Sequence, residues 1–127
     1  MPTYPSRAWV DSAVSAVNYD AEFRPVSVAF DATIRIDFGE YACAMTVDDG
    51  ALRAVEHSPH FASWDVALRA STATWQKLLA EVPPPLYNDL LGAWLQAELT
   101  MEGDLQLAIQ HLRPLKRLLA VFQEVGA

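Results

Sequence analysis

The residues able to do chemistry are few and widely spaced. The segment "EHSPH" sets His57 and His60 three positions apart. Two such imidazoles could ligate zinc, but a zinc site needs three or four ligands, and the remaining histidine, His111, is distant in sequence. Read without a third ligand, they are ordinary loop histidines. Acid pairs occur at Asp48-Asp49 and at Glu102 with Asp104. The first is a turn signature. The second brackets Gly103 at a helix start, where the helix dipole favours acids, and neither spacing gives a matched general acid and base. Ser58 and Ser63 lack the glycines that expose a nucleophilic serine on a strand-to-helix turn. No glycine-rich phosphate loop and no pair of cysteines two residues apart is present. None of these spacings by itself specifies a bond-making site.

Composition agrees. The chain has 127 residues, and its length sets the expectation of one domain over 1–127 with a real core. Its hydrophobic fraction of 52% leaves apolar side chains for a cavity or an interface as well as that core. The net charge is −7, with 9 Lys and Arg against 16 acids, which argues against a nucleic-acid partner. Arg113, Lys116 and Arg117 nevertheless fall together on the last helix. They read as a solvated helix face, with contact to an anionic lipid or ligand as the alternative. The single cysteine, Cys43, allows no internal disulfide and reads as a small buried hydrophobe. The start "MPTYPSRAW" has no apolar run and no stretch approaches the length of a membrane span, so the expected setting is soluble and cytoplasmic.

The elements that must position these residues follow from periodicity. Trp9, Val10, Ala13, Val14 and Val17 recur at helical steps, and Pro25 is expected to stop that run. From Val26 to Phe38 every even position is apolar, while Ser27, Asp31, Thr33, Arg35 and Asp37 fall between, which predicts a strand with one buried face. Gly39-Glu40 makes a turn, and the pattern resumes through Tyr41, Cys43, Met45 and Val47. The triplet "DDG" at Asp48–Gly50 predicts a second hairpin, followed by a weaker strand near Leu52 to Glu56. A fourth strand runs through Trp64, Val66 and Leu68. Ser71 or Thr72 caps a helix with an apolar stripe of Trp75, Leu78 and Leu79, ended by Pro83 to Pro85. A short helix from about Leu86 to Trp94 precedes a strand through Leu95, Ala97, Leu99 and Met101. Gly103 is the hinge and Asp104 the N-cap of a last helix, which Pro114 must either kink or divide in two. The order predicts an α+β fold, an antiparallel sheet with helices gathered on one face. The four tryptophans Trp9, Trp64, Trp75 and Trp94 fall on apolar faces, where core packing is the ordinary role.

One enzymatic alternative is a small cone-shaped α+β steroid isomerase, with Asp31 and Asp37 as its acids. Those residues lie on the polar phase of a strand, and that fold ends in strands where this chain ends in a helix.

The stretch from Leu68 to Leu119 resembles the C-terminal half of a sterol carrier protein type two domain. The likeness lies in the strand ending at Ser71, then Trp75-Gln76-Lys77-Leu78-Leu79, a proline-containing link, a helix with Gly92, the "EGD" hinge at Glu102–Asp104 and a long apolar helix. The opening "YPSRAW" is similar to the leader helix of small stand-alone bacterial members. The chain departs from the pattern in its triple proline and in Pro114. The resemblance implies a five-stranded, mostly antiparallel sheet with helices on one face, and a hydrophobic tunnel between them. It implies a sterol, fatty acid or acyl-CoA ligand, no catalysis, no cofactor and no metal. A ligand that buries about 15 methylenes gains on the order of 12 kcal/mol before ordering costs, so binding alone could be the function. The expected lining is Phe30, Ile34, Ile36 and Met45 from the sheet, Trp75, Leu79, Leu90, Leu91 and Trp94 from the middle helices, and Ile109, Leu112 and Leu119 from the end; for each the plainer role is core. A second expectation keeps the fold with a collapsed tunnel, the apolar last helix docking on a partner enzyme or a second copy.

Overall fold

The computed structural model describes residues 4–57, 63–80, 82–85, 90–95 and 98–126. The first helix, α1 (Arg7–Tyr19), starts where Ser6 Oγ accepts the Trp9 amide at 3.1 Å. Its stripe of Trp9, Val10, Ala13 and Val17 is buried. Asn18, which breaks the apolar spacing, has a purpose of its own: its side chain exchanges two hydrogen bonds with the Leu52 backbone and ties the helix to an edge strand.

Two corrections fall here. The alternation that begins at Val26 is not strand from its start. Residues Phe23–Ser27 form a short helix, α2, and the first strand, β1, covers only Ala32–Asp37. Pro25 does not stop a helix but sits at the third position of α2, where an amide has no intrahelical acceptor to lose. Asp20 Oδ2 accepts the Phe23 amide at 2.8 Å and so starts the turn, and Val28 ends 53% exposed. From Phe30 to Phe38 the even positions are all buried, as a one-sided strand requires.

β1 pairs antiparallel with β2 (Ala42–Asp48), and β2 with β3 (Ala51–Glu56). The β2–β3 turn has positive φ at Asp49 and Gly50, the conformation of a tight hairpin. β4 (Val66–Ala70) then runs parallel to β1, and β5 (Leu99–Gly103) antiparallel to β4. The strand order is β3-β2-β1-β4-β5. Register aligns Ile34 with Met45 and Val66, and Ile36 with Cys43 and Leu68, so one face is a continuous apolar surface. The opposite face carries Thr33 against Thr46 and Arg69 between Asp37 and Glu102.

On the apolar face lie α1, α2 and the remaining helices. Ser71 caps α3 (Thr72–Leu78), accepting the Thr74 amide. α4 spans Leu90–Leu95, so Leu95 belongs to a helix, not to the last strand; Ala97 and residues 86–89 lie outside the described residues. Gly103, at φ 94°, passes so close to β4 that a Cβ there would come within 2.7 Å of the Trp64 ring. Asp104 caps α5 (Leu105–Gln110) through the Leu107 amide. The chain then breaks at His111 and continues as α6 (Leu112–Val125), with Pro114 in its first turn. Division, not a kink, is how Pro114 is accommodated. A cluster of Tyr4, Trp9, Phe38, Trp75 and Phe122 in edge and tilted contacts closes one end of the core. Among the described residues no helix is long and apolar enough to cross a membrane.

Candidate functional site

A groove of about 530 Å³ lies where α2, α4 and α6 meet over the sheet. Val26, Leu90, Leu119 and Ala120 supply its apolar surface, and Glu22, Arg113, Lys116, Arg117 and Gln123 its polar part. The volume lies within the range of small-molecule sites. Helical spacing explains the α6 side: Lys116 and Arg117 lie three and four residues after Arg113, and Ala120 and Gln123 follow at steps of three, with Leu119 turned toward the core.

One wall is fixed by an ion-pair cluster. Arg117 donates two hydrogen bonds to the Asp20 carboxylate, from Nε at 2.8 Å and Nη2 at 2.6 Å. Its guanidinium is also 3.3 Å from Glu22 and 3.6 Å from Glu124. The hydrogen bonds from Arg117 hold the Asp20 carboxyl below its ordinary range, and the same pair raises Arg117 above its own. Because Asp20 also accepts the amide of Phe23, the first residue of α2, this cluster ties the start of α2 to α6.

The twelve residues expected to line a tunnel separate into layers. Leu90 and Leu119 come together at the groove. Ile34, Ile36 and Met45 are buried on the inner face of the sheet, and Leu79 is buried beneath the helices. Trp75 is buried with its indole N–H donating to the Asp37 carbonyl at 2.7 Å. Phe30 is buried and stacked on the His111 ring at 4.8 Å. Leu91, Trp94 and Leu112 are half-buried. Ile109 stands apart from the groove lining, 54% exposed on α5. Sequence reasoning did not place Val26, Ala120 or Gln123 in a site. It noticed the cations of α6 but took them for a solvated face; their clustering against a negative chain was the signal.

The groups weighed for catalysis are engaged elsewhere. His57 bonds the Tyr41 hydroxyl through Nδ1 and lies 3.0 Å from Asp11 through Nε2, joining the end of β3 to α1. His60 and Ser58 lie outside the described residues. Asp31 is exposed, and Asp37 pairs with Arg69. Burial pushes the Cys43 thiol up to about 12, away from a reactive thiolate at neutral pH. Among the described residues no three of His, Cys, Asp and Glu are grouped to hold a metal.

No family model matches the chain. No curated protein matches it either. Solved structures do. The chain is similar to sterol carrier protein 2 at 19% identity and TM-score 0.80, over 98% of this chain and all of that one. It is similar to a conserved hypothetical protein of Thermus thermophilus, described as a candidate sterol carrier protein, at 19% identity and TM-score 0.74, over 100% and 92% of the two chains. It is also similar to UbiJ-SCP2, a ubiquinone synthesis protein, at 15% identity and TM-score 0.61, over 98% and 97%. The fold is that of a sterol carrier protein type two domain, α+β with a five-stranded sheet of which one pair is parallel.

Proposed function

We propose that residues 1–127 form one carrier domain that binds and transfers a hydrophobic ligand without chemical change. The observation that carries this reading is the groove, whose apolar floor of Leu90 and Leu119 is continuous with the buried core. An apolar site of this size binds by removing a chain or ring system from water, and it needs no nucleophile. Ile34, Ile36, Met45 and Trp75 then form the packed bed on which the ligand rests, and Leu91, Trp94 and Leu112 border it. The groups that would serve an acid, a base or a nucleophile are exposed, paired or buried neutral, which supports a non-catalytic role. The likeness to sterol carrier protein 2 supports it as well.

The test is Ala120→Trp. Ala120 lines the groove on α6, and an indole there fills space that a ligand would occupy. Uptake of a fluorescent fatty acid is expected to fall at least about tenfold, because a ligand displaced from contact loses about 0.8 kcal/mol per methylene. Unchanged uptake by a folded variant refutes the groove as the site.

A second reading is an accessory subunit that docks on an enzyme or on itself. Leu105 and Ile109, four residues apart on α5 and 42% and 54% exposed, favour it, as does the likeness to a ubiquinone synthesis protein. It predicts self-association or partner binding by a protein inert to lipid, which sedimentation with and without fatty acid distinguishes.

A further inference from the structure

We propose that a second copy of this chain docks on α5. The two copies meet antiparallel about a twofold axis, with Leu105 and Ile109 at the centre and each Asp104 facing the partner's Arg113. This deepens the docking reading and rests on its surface, and it does not depend on whether the groove takes a ligand.

α5 is short, and Ala108 is its one buried residue. Leu105 and Ile109, one turn apart, stand on its outer face at 42% and 54% exposure. Val28, also exposed, lies two residues from Phe30, whose ring stacks on His111 at the end of α5. So of the five large apolar side chains exposed among the described residues, three lie on or near this short helix, as expected of an interaction surface. Charge indicates what covers it. The chain has a net charge of −7, so most faces of two copies repel each other. From Leu105 to Leu112 there is no acid, lysine or arginine. Charges of opposite sign bound this stretch, Asp104 at its start and Arg113 at its end, and both are exposed. Asp104 caps α5, and neither residue has an ion pair among the described residues. A twofold contact brings the same patch of each copy together. With the two α5 helices parallel, acid would face acid and arginine would face arginine. With them antiparallel, each Asp104 meets the partner's Arg113, and the four central apolar side chains pack between the two ion pairs. The patch is thus complementary to itself. A lipid surface would call for cations around the patch, and here one end is an acid.

The experiment is sedimentation equilibrium of the full chain over a concentration series, with uptake of dodecanoate read on the same samples. The mass is expected to rise with concentration from one copy toward two, as the weak association of a small interface does. Ile109→Glu, shown folded by circular dichroism, sets carboxylates at the apolar centre and should weaken the dimer by about a hundredfold or more. Arg113→Glu sets acid against acid at both ends by symmetry and should weaken it about tenfold. Adding Asp104→Asn to Arg113→Glu removes the opposed acid while asparagine keeps the cap, and should restore most of the affinity. A natural chain that stays monomeric at every concentration overturns the inference. A dimer untouched by Ile109→Glu or by Arg113→Glu also overturns it. So does a monomer that floats with phosphatidylcholine vesicles and loses this in Ile109→Glu, which assigns the patch to a lipid surface. The uptake measurement separates the two claims. A dimer that also binds dodecanoate upholds the inference and overturns the accessory reading, whereas a monomer inert to dodecanoate overturns the inference and leaves docking on an enzyme standing.

Discussion

Replacing Asp20 with asparagine should loosen the groove wall in a way that can be measured. The carboxylate accepts two Arg117 hydrogen bonds and the Phe23 amide, all within 2.8 Å. Asparagine keeps the shape and one carbonyl oxygen but loses the charge. Breaking a fully buried ion pair costs several kcal/mol because one charge is left alone. Here Glu22 and Glu124 still face Arg117, and its side chain retains 22% exposure, so the smaller figure applies. A hydrogen bond to a charged group contributes roughly 1.5–3 kcal/mol, and about 2 kcal/mol is expected. Unfolding entropy near 2.1 cal/mol/K per residue over 127 residues converts this to a fall in Tm of about 7 °C. The pH dependence follows from the direction of the shift. Asp20 has a folded pKa below its unfolded one, so its contribution is complete above the unfolded value, near 3.9, and is lost as pH falls through the folded value. Calorimetric scans from pH 7 downward should therefore show the natural chain and Asp20→Asn converging in acid. A variant within about 1 °C of the natural chain at pH 7, with the same acid limb, would refute the reasoning.

Two further outcomes follow from buried groups. Trp75→Phe keeps an aromatic ring but removes the indole N–H that donates to the Asp37 carbonyl, and should cost about 1–3 kcal/mol in urea unfolding. Cys43, with its thiol pushed up by burial, should react with a disulfide reagent only through the opened chain, so at fixed pH its rate should rise with urea in step with unfolding.

How far the sequence was legible depends on how local each cause is. The alternation from Phe30 to Phe38 reads directly, because one wet and one buried face impose a period of two. The same alternation misleads at Val26-Ser27-Val28. There the conformation is set by Asp20, itself held by Arg117 from 97 residues away, and no local pattern carries that fact. Leu95 misled for a similar reason: an apolar residue at a helix end and one opening a strand look alike in a short window. Pro114 could be read as a kink or a division because its missing amide acts locally, and the structure has the division. The parallel pairing of β4 with β1 was not legible, since strand order leaves no periodic trace. The groove was legible only in part. It assembles residues 22 and 26, 90, and 113 to 123, and the reading reached Leu90 and Leu119 through the family resemblance. Val26 and Ala120 carry no mark of their own, since small apolar residues on a helix look the same whether they face a cavity or a neighbour.

The most direct test of the carrier account is native mass spectrometry of the protein as purified from its expression host, followed by solvent extraction of anything bound. The account predicts an added mass of lipid size that is lost on denaturation, or stoichiometric uptake of dodecanoate by protein that arrives empty. An empty protein that also ignores dodecanoate and cholesterol would contradict it.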